Sequence, residues 1–187
     1  MKFIHTADIH WGMIPDSDKP WGKKREQAIR LTFQGIIEDA RDSRADLLLI
    51  SGDLFHRQPL ARDLKEVNYL FSTIPGVQVM IIAGNHDSGE RLEFARELLE
   101  KEGVFIAGLP PRETDEKIRK VTMTDPAGEV CFYLLPFTKP SHLRKKYEEE
   151  KIDSYEDAVK KLLEEEEIDT TKRNVLLSHQ FYLSGGS

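Results

Sequence analysis

Short apolar runs separated by helix-length amphipathic segments are the feature that most constrains the fold of this 187-residue chain. Residues 47–50 and 79–83 are uninterrupted apolar runs, as expected of strands buried on both faces. Residues 25–43, 63–74 and 88–102 repeat apolar side chains every three or four positions, which predicts helices. Strands that alternate with helices in this way are typical of α/β proteins whose parallel strands are joined by helices.

The alternation of predicted strands and helices ends at Pro110-Pro111. Residues 120–124 and 130–135 flank the turn sequence Asp125-Pro126-Ala127-Gly128, which predicts a β-hairpin. Further on, Ser154 and Asp157 have the spacing of a capping box and predict the start of a helix. The chain is therefore predicted to form one α/β domain, with either a mixed sheet or two packed sheets.

Composition and charge indicate which partners and which cellular location to expect for the protein. Lys and Arg number 27 against 33 Asp and Glu, so the net charge is −6 and the chain as a whole attracts duplex DNA poorly. Basic clusters at 23–25 and 144–146 are interpreted as solvated helix faces. The single cysteine, Cys131, excludes an internal disulfide. No signal peptide is recognisable and no apolar run is long enough to cross a membrane, so we expect a cytoplasmic protein without a membrane partner.

Polar motifs follow four of the predicted strands. Functional groups in α/β sheets gather beyond the carboxyl ends of the strands, so we expect these motifs to lie close together. Each one is weak evidence alone, but together and in this order they favour a chemical site over chance. The four motifs are Asp8-Ile9-His10, Gly52-Asp53-Leu54-Phe55-His56, Gly84-Asn85-His86-Asp87 and Ser178-His179-Gln180.

The residue types in these motifs are ligands for divalent metals. Asp8 and His10 are two residues apart, so in an extended chain both side chains would point the same way. The Asp53 carboxylate has two oxygens and can bridge two ions. Asn85 offers a carbonyl oxygen, and His179 offers a nitrogen. Oxygen and nitrogen ligands without thiolate suit Mn, Fe or Zn.

Two such ions would hold the attacking and leaving oxygens of a phosphoryl transfer. His86 could then stabilise charge on the phosphate or protonate the leaving oxygen, and His56 could contact the same phosphate. His5 lies inside the first strand and is interpreted as a core histidine. Trp11 and Phe55 flank the motifs, and either pack behind the ligands or stack on a substrate base.

The motifs resemble those of the calcineurin-like metallophosphoesterase superfamily. The sequence around them resembles the SbcD exonuclease family and its DNA double-strand-break repair relatives. That resemblance implies a four-layer αββα sandwich and a Mn-dependent nuclease that acts on DNA together with an SbcC-like ATPase subunit. The segments that carry it are His5-Thr6-Ala7-Asp8-Ile9-His10-Trp11-Gly12, Gly52-Asp53-Leu54-Phe55-His56, Leu134-Leu135-Pro136-Phe137-Thr138-Lys139-Pro140, Ser154-Tyr155-Glu156-Asp157-Ala158 and Ser178-His179-Gln180-Phe181.

The resemblance also implies a role for each site residue. It makes Asp8 and His10 ligands of one metal, with Mn the expected ion and Mg, Fe or Zn as alternatives. Asp53 becomes the ligand that bridges both ions. The remaining roles are those of Asn85 and His179 as ligands of the second metal, His86 as the catalytic histidine and His56 as a histidine that contacts phosphate.

The sequence departs from the family near its end. Family members carry a Gly-His-x-His motif after the His179 segment, and a capping domain, whereas residues 182–187 end in Ser-Gly-Gly-Ser, which resembles a linker. We therefore expect residues 1–187 to be the N-terminal part of a nuclease domain, C-terminally incomplete and weak or inactive alone. Two alternatives stay open: a phosphodiesterase for small molecules or nucleotides, and a catalytically silent module. Cleavage polarity and homodimer formation also stay open.

Overall fold

The first sheet of the computed structural model, which describes residues 1–148 and 150–182, is four-stranded and parallel. Its strands follow one another in chain order, β1-β2-β3-β4, with Ile4 beside Leu48 and Leu48 beside Val79 in the register. The continuous apolar runs of the sequence supply the two central strands. The strands are β1 (Phe3–Thr6), β2 (Leu47–Ser51), β3 (Gln78–Ile82) and β4 (Val104–Ala107).

Helices cover one face of this sheet. The first two predicted helices are confirmed as α1 (Gly22–Asp42) and α2 (Ala61–Ser72). The continuous third helix predicted over 88–102 is wrong. It is divided into α3 (Gly89–Leu92), a 3₁₀ turn (Glu93–Ala95) and α4 (Arg96–Lys101).

Contacts with the end of β4 explain this division. A side chain at Gly89 would collide with the backbone of Gly108, so the two glycines allow a close approach. The Glu93 carboxylate then accepts the Gly108 N–H at 2.8 Å, and Ala95 leaves the helical region with φ −115° and ψ 19°. Tertiary contacts thus override a local helical pattern.

The second sheet contains the predicted hairpin, which is confirmed. Strands β5 (Arg119–Asp125) and β6 (Gly128–Leu135) are antiparallel, and β7 (Arg173–Ser178) pairs with β6 in parallel. Helix α5 (Tyr155–Glu164) follows Ser154, whose hydroxyl accepts the Asp157 N–H at 3.0 Å as the capping box predicts. A 3₁₀ turn (Pro140–His142) precedes it.

Three apolar clusters define four layers, because successive strand residues face opposite sides. Leu48 and Ile50 pack with the helices over the first sheet, whereas Leu47 and Leu49 pack against the second sheet. Outside the second sheet, a third cluster joins β6 to α5 through Cys131, Tyr133, Leu135, Ala158 and Leu162. The predicted αββα sandwich is therefore confirmed, and Cys131 is buried. The linker-like residues 183–187 lie outside the part that the structure describes.

Candidate metal centre

The backbone beyond β1 and β2 carries the first part of the site. Asp8, His10 and Asp53 all adopt left-handed conformations, with φ of 55°, 51° and 51°. Asp8 N–H donates to the Gly52 carbonyl at 3.1 Å, and His10 N–H donates to the Asp53 carbonyl at 2.9 Å. The extended backbone expected between Asp8 and His10 is thus wrong, because these loop-to-loop hydrogen bonds hold a left-handed geometry that costs on the order of 1 kcal/mol per residue.

Two glycines make room for the side chains of the site. Gly52 has φ of +90°, and a Cβ there would collide with the His179 ring. A Cβ at Gly84 would collide with the Asp53 carboxylate. The glycines of the second and third motifs are therefore needed for the close approach of backbone to ligand side chains as well as for turning.

Asp53 lies at the centre of the site and is only 2% exposed. Its Oδ2 is 3.7 Å from Nε2 of His10 and 3.6 Å from Nε2 of His179. On the His10 side, Asp8 Oδ1 is 3.9 Å from His10 Nε2, and ligand atoms of Asp8, His10 and Asp53 all lie within 4.8 Å of one another. On the other side, His179 Nε2 is 3.2 Å from Asn85 Oδ1. The structure thus brings the five predicted ligands together in two groups that share Asp53.

Burial and the neighbouring groups have opposite effects on the pKa of the Asp53 carboxyl group. Burial opposes ionisation of Asp53, but the nearby His179 ring and the His86 N–H, which donates to Asp53 Oδ1 at 2.9 Å, outweigh it and lower its pKa. The same carboxylate raises the pKa of His179 to about 9. At neutral pH, His179 of the metal-free protein is therefore protonated, and its positive charge lies where a metal ion could bind.

The donor set fits divalent metal. Each group combines carboxylate or amide oxygen with imidazole nitrogen, and thiolate takes no part, which suits Mn, Fe or Zn. The His179 ring is also oriented as metal-binding imidazoles are, since its Nδ1 donates to the Ser51 carbonyl at 2.8 Å and leaves Nε2 facing Asp53.

Asp87 has a positioning role that the sequence did not reveal. Its carboxylate accepts N–H groups from Leu54 at 3.2 Å, Phe55 at 2.8 Å and Gly84 at 2.9 Å, so it ties the loop after β2 to the loop after β3. Burial raises its pKa. The only sequence signal for this role is its place at the end of Gly84-Asn85-His86-Asp87.

His56 and His86 lie beside the ligand groups at the mouth of the site. Their rings stack with centroids 5.1 Å apart, and His86 Nδ1 donates to the His56 carbonyl at 3.2 Å. His86 is exposed and His56 half-buried. Burial, followed by the neighbouring His10 and His86, lowers the pKa of His56. His86 lines the cleft that also contains Asp8, His10, Asp53 and His179, and the His56 ring is partly accessible beside it.

The aromatic residues that flank the motifs, Trp11 and Phe55, are buried, whereas His5 is exposed. Trp11 is 3% exposed and Phe55 2%, so both pack behind the ligands and neither can stack on a base. The prediction of a core position for His5 is wrong: its ring is exposed, lines the cleft and contacts the Ser51 hydroxyl at 2.8 Å. β1 is an edge strand of the first sheet, which explains why His5 is not covered on its outer side.

Comparison with known proteins gives the class of the protein. The family model described as calcineurin-like phosphoesterase matches residues 1–186, so the chain belongs to this family, whose members are hydrolases that bind divalent metals. The chain is 27% identical over 185 residues to the D subunit of nuclease SbcCD from Staphylococcus saprophyticus. This match covers 96% of the chain and 46% of the relative, so the chain spans about half the length of that protein.

One solved structure is also similar in part. A protein of unknown function from Aquifex aeolicus is 15% identical and superposes with a TM-score of 0.35, over 71% of this chain and 59% of that one. A score this low carries no argument about function. Within residues 1–148 and 150–182, no helix combines the length and apolar character needed to cross a membrane.

Proposed function

We propose that the chain is the N-terminal part of a metal-dependent nuclease of the SbcD type, which hydrolyses phosphodiester bonds in DNA during repair and recombination. The observation that carries the proposal is the pair of ligand groups that share the buried Asp53 carboxylate. Similarity to a nuclease subunit along almost the whole chain supports the choice of DNA within the phosphoesterase family.

The ligand groups suggest where two ions, expected to be Mn, would be held. Asp8 and His10 would hold one ion, Asn85 and His179 the other, and Asp53 both. When bound, such ions would neutralise phosphate charge and lower the pKa of bound water, so that hydroxide would be available to attack near neutral pH. In this arrangement Asp87 keeps the two loops aligned, because three backbone N–H groups donate to its carboxylate.

The histidines at the mouth would act on the phosphate itself. A protonated His86 would keep its Nδ1–H on the His56 carbonyl and present its other N–H to the leaving oxygen. His56, with its lowered pKa, would contact the phosphate as a neutral hydrogen-bonding ring. Proton donation of this kind contributes roughly 100-fold or more to the rate.

Partners follow from the same proposal. The relative is named as one subunit of a nuclease, which supports assembly with an SbcC-like ATPase subunit. A homodimer would be compatible with such an assembly. Because the chain corresponds to about half of that relative, we propose that the full protein supplies the remaining metal ligands and a capping domain.

The decisive test compares substrates on the full-length protein. Linear DNA and bis(p-nitrophenyl) phosphate are each incubated with the protein and Mn²⁺, and the Asp53→Ala variant serves as the metal-site control. Cleavage of DNA that Asp53→Ala abolishes is the expected result. Hydrolysis of the small ester with intact DNA would instead identify a small-molecule phosphodiesterase. Failure on both substrates, together with no Mn²⁺ binding, would indicate a silent module.

A further inference from the structure

Three histidine rings, His10, His56 and His86, form a closed triangle beside the ligand groups. Their centroids are 5.3, 5.0 and 5.1 Å apart, and one nitrogen from each ring lies within 4.8 Å of the other two. The loops after β1, β2 and β3 each supply one ring. The triangle differs from the Asp53-centred groups because its ligand atoms are all imidazole nitrogens.

The closest pair of nitrogens has the spacing of two ligands on one ion. His10 Nδ1 and His56 Nδ1 are 3.4 Å apart, which is long for a hydrogen bond. Two imidazole nitrogens on a tetrahedral zinc ion, each bonded at about 2.0–2.1 Å, lie about 3.3 Å from each other. The observed separation therefore suits a shared cation.

The opposite nitrogen of the His86 ring already makes the kind of hydrogen bond that orients metal-binding imidazoles. His86 Nδ1 donates to the His56 carbonyl, which leaves Nε2 of His86 with its lone pair. His10 Nε2 lies on the side of Asp53 and Asp8, at 3.7 and 3.9 Å, so Nδ1 is the nitrogen that faces His56. A carbonyl or carboxylate behind the imidazole is the usual support of a metal ligand.

We propose that His10, His56 and His86 form a separate cation site that prefers Zn²⁺ and competes with the Asp53-centred groups for His10. Three imidazoles with an open fourth position are a known zinc arrangement. Mn²⁺ binds nitrogen ligands more weakly than Zn²⁺ and prefers oxygen, so an all-imidazole site discriminates between the two ions.

Competition follows from the chemistry of His10. A neutral imidazole has a single lone pair, so His10 can bind Zn²⁺ through Nδ1 or a second ion through Nε2, but not both. Zinc at the triangle would also occupy His56 and His86. Zn²⁺ should therefore inhibit the nuclease, and this consequence alone rests on the proposed function.

Calorimetric titration of the metal-free full-length protein with ZnCl₂ tests the site. We expect His56→Ala and His86→Gln each to weaken one Zn²⁺-binding event by at least about tenfold, since each removes one of three ligands. His142→Ala is the matched control, because His142 accepts the Lys139 N–H outside the cleft. Unchanged zinc affinity in both His56→Ala and His86→Gln, with the variants folded by circular dichroism, would overturn the proposal.

Two further measurements separate this site from the proposed function. Electron paramagnetic resonance of free Mn²⁺ should show manganese released from the wild-type protein when Zn²⁺ is added, and less release from His86→Gln at the same zinc concentration. Equal release from both proteins, or retention of all bound manganese at saturating zinc, contradicts the competition. DNA cleavage in Mn²⁺ should fall on addition of Zn²⁺. If the protein cleaves no DNA in Mn²⁺ at all, the proposed function fails while the calorimetric result still decides the zinc site.

Discussion

Two buried charged residues, Lys146 in the outer layer and Asp53 at the carboxyl edge of the first sheet, are satisfied in different ways. Lys146 Nζ donates to the carbonyls of Glu113, Thr114 and Glu116, and pairs with Glu165 at 3.0 Å. Asp53 Oδ2 faces the imidazoles of His179 and His10, at 3.6 and 3.7 Å.

This difference distinguishes a buried charge that stabilises the fold from one that is placed to bind a ligand. Every donor of the Lys146 ammonium has a protein acceptor, as a buried cation requires for stability. One oxygen of Asp53 accepts the His86 N–H, while the other is surrounded by groups that could bind the same cation. A buried carboxylate oxygen that lies between two imidazole nitrogens thus marks the position where a metal ion is expected.

The largest expected effect is that of Asp53→Ala on metal binding. Removal of the shared carboxylate takes a ligand from both groups, so we expect Mn²⁺ affinity to fall by more than about 100-fold. Calorimetry with MnCl₂ on the full-length protein measures this. A variant that still binds Mn²⁺ as the wild type does would show that Asp53 is not the bridge.

Lys146→Met tests the other member of the comparison. The carbonyls of Glu113, Thr114 and Glu116 and the Glu165 carboxylate lose a charged donor, so the free energy of unfolding should fall by about 3 kcal/mol, with Mn²⁺ affinity unchanged. Denaturant titration gives the free energy. Lys145→Met is the matched control, since Lys145 is exposed and forms a surface ion pair with Glu113; it should leave stability nearly unchanged. Equal losses in both variants would mean that burial of Lys146 is unimportant.

His86→Ala should separate chemistry from metal binding. The ring lies beside the ligand groups, and the backbone N–H that donates to Asp53 Oδ1 is kept in the variant, so Mn²⁺ affinity should be retained. Turnover of DNA should fall roughly 100-fold because proton donation is lost. Single-turnover cleavage and Mn²⁺ calorimetry measure the two quantities. Loss of Mn²⁺ affinity here contradicts the assigned role.

The smallest expected effect is a pH dependence of the metal-free protein. Folding raises the pKa of His179 from 6.5 to about 9, so the protonated ring stabilises the folded state fully below pH 6.5. That contribution is lost as the pH rises towards 9. The melting temperature in EDTA should therefore fall over this range, and His179→Gln should flatten the slope. An identical slope in the variant would exclude His179 as its source.

Much of the fold was predictable from local sequence. The helices α1 and α2, the hairpin of β5 and β6, and the Ser154 cap depend on periodicity and turn residues that act over a few positions. The third helix was not predictable in detail. Its division at Ala95 depends on the packing of Gly89 against Gly108, which are far apart in sequence.

The candidate site was likewise predictable only in part. The ligand types and their order along the chain indicate a metal site, because motifs that follow parallel strands gather beyond the carboxyl ends of those strands. That His179 joins the others from the second sheet is a result of how the two sheets pack. The left-handed backbone of Asp8 and His10, the exposure of His5 and the positioning role of Asp87 were not predictable. Each depends on hydrogen bonds or packing between separate loops.

The sequence by itself determined the α/β class and the set of residues able to bind metal, since these follow from local pattern and side-chain chemistry, and the resemblance of its motifs indicated the family. Only the tertiary structure decided how those residues meet. It placed Asp53 between His10 and His179, and brought His10, His56 and His86 into a triangle of nitrogens. The physical reason is that distances between loops are set by sheet register and by packing against glycine, which no single segment encodes.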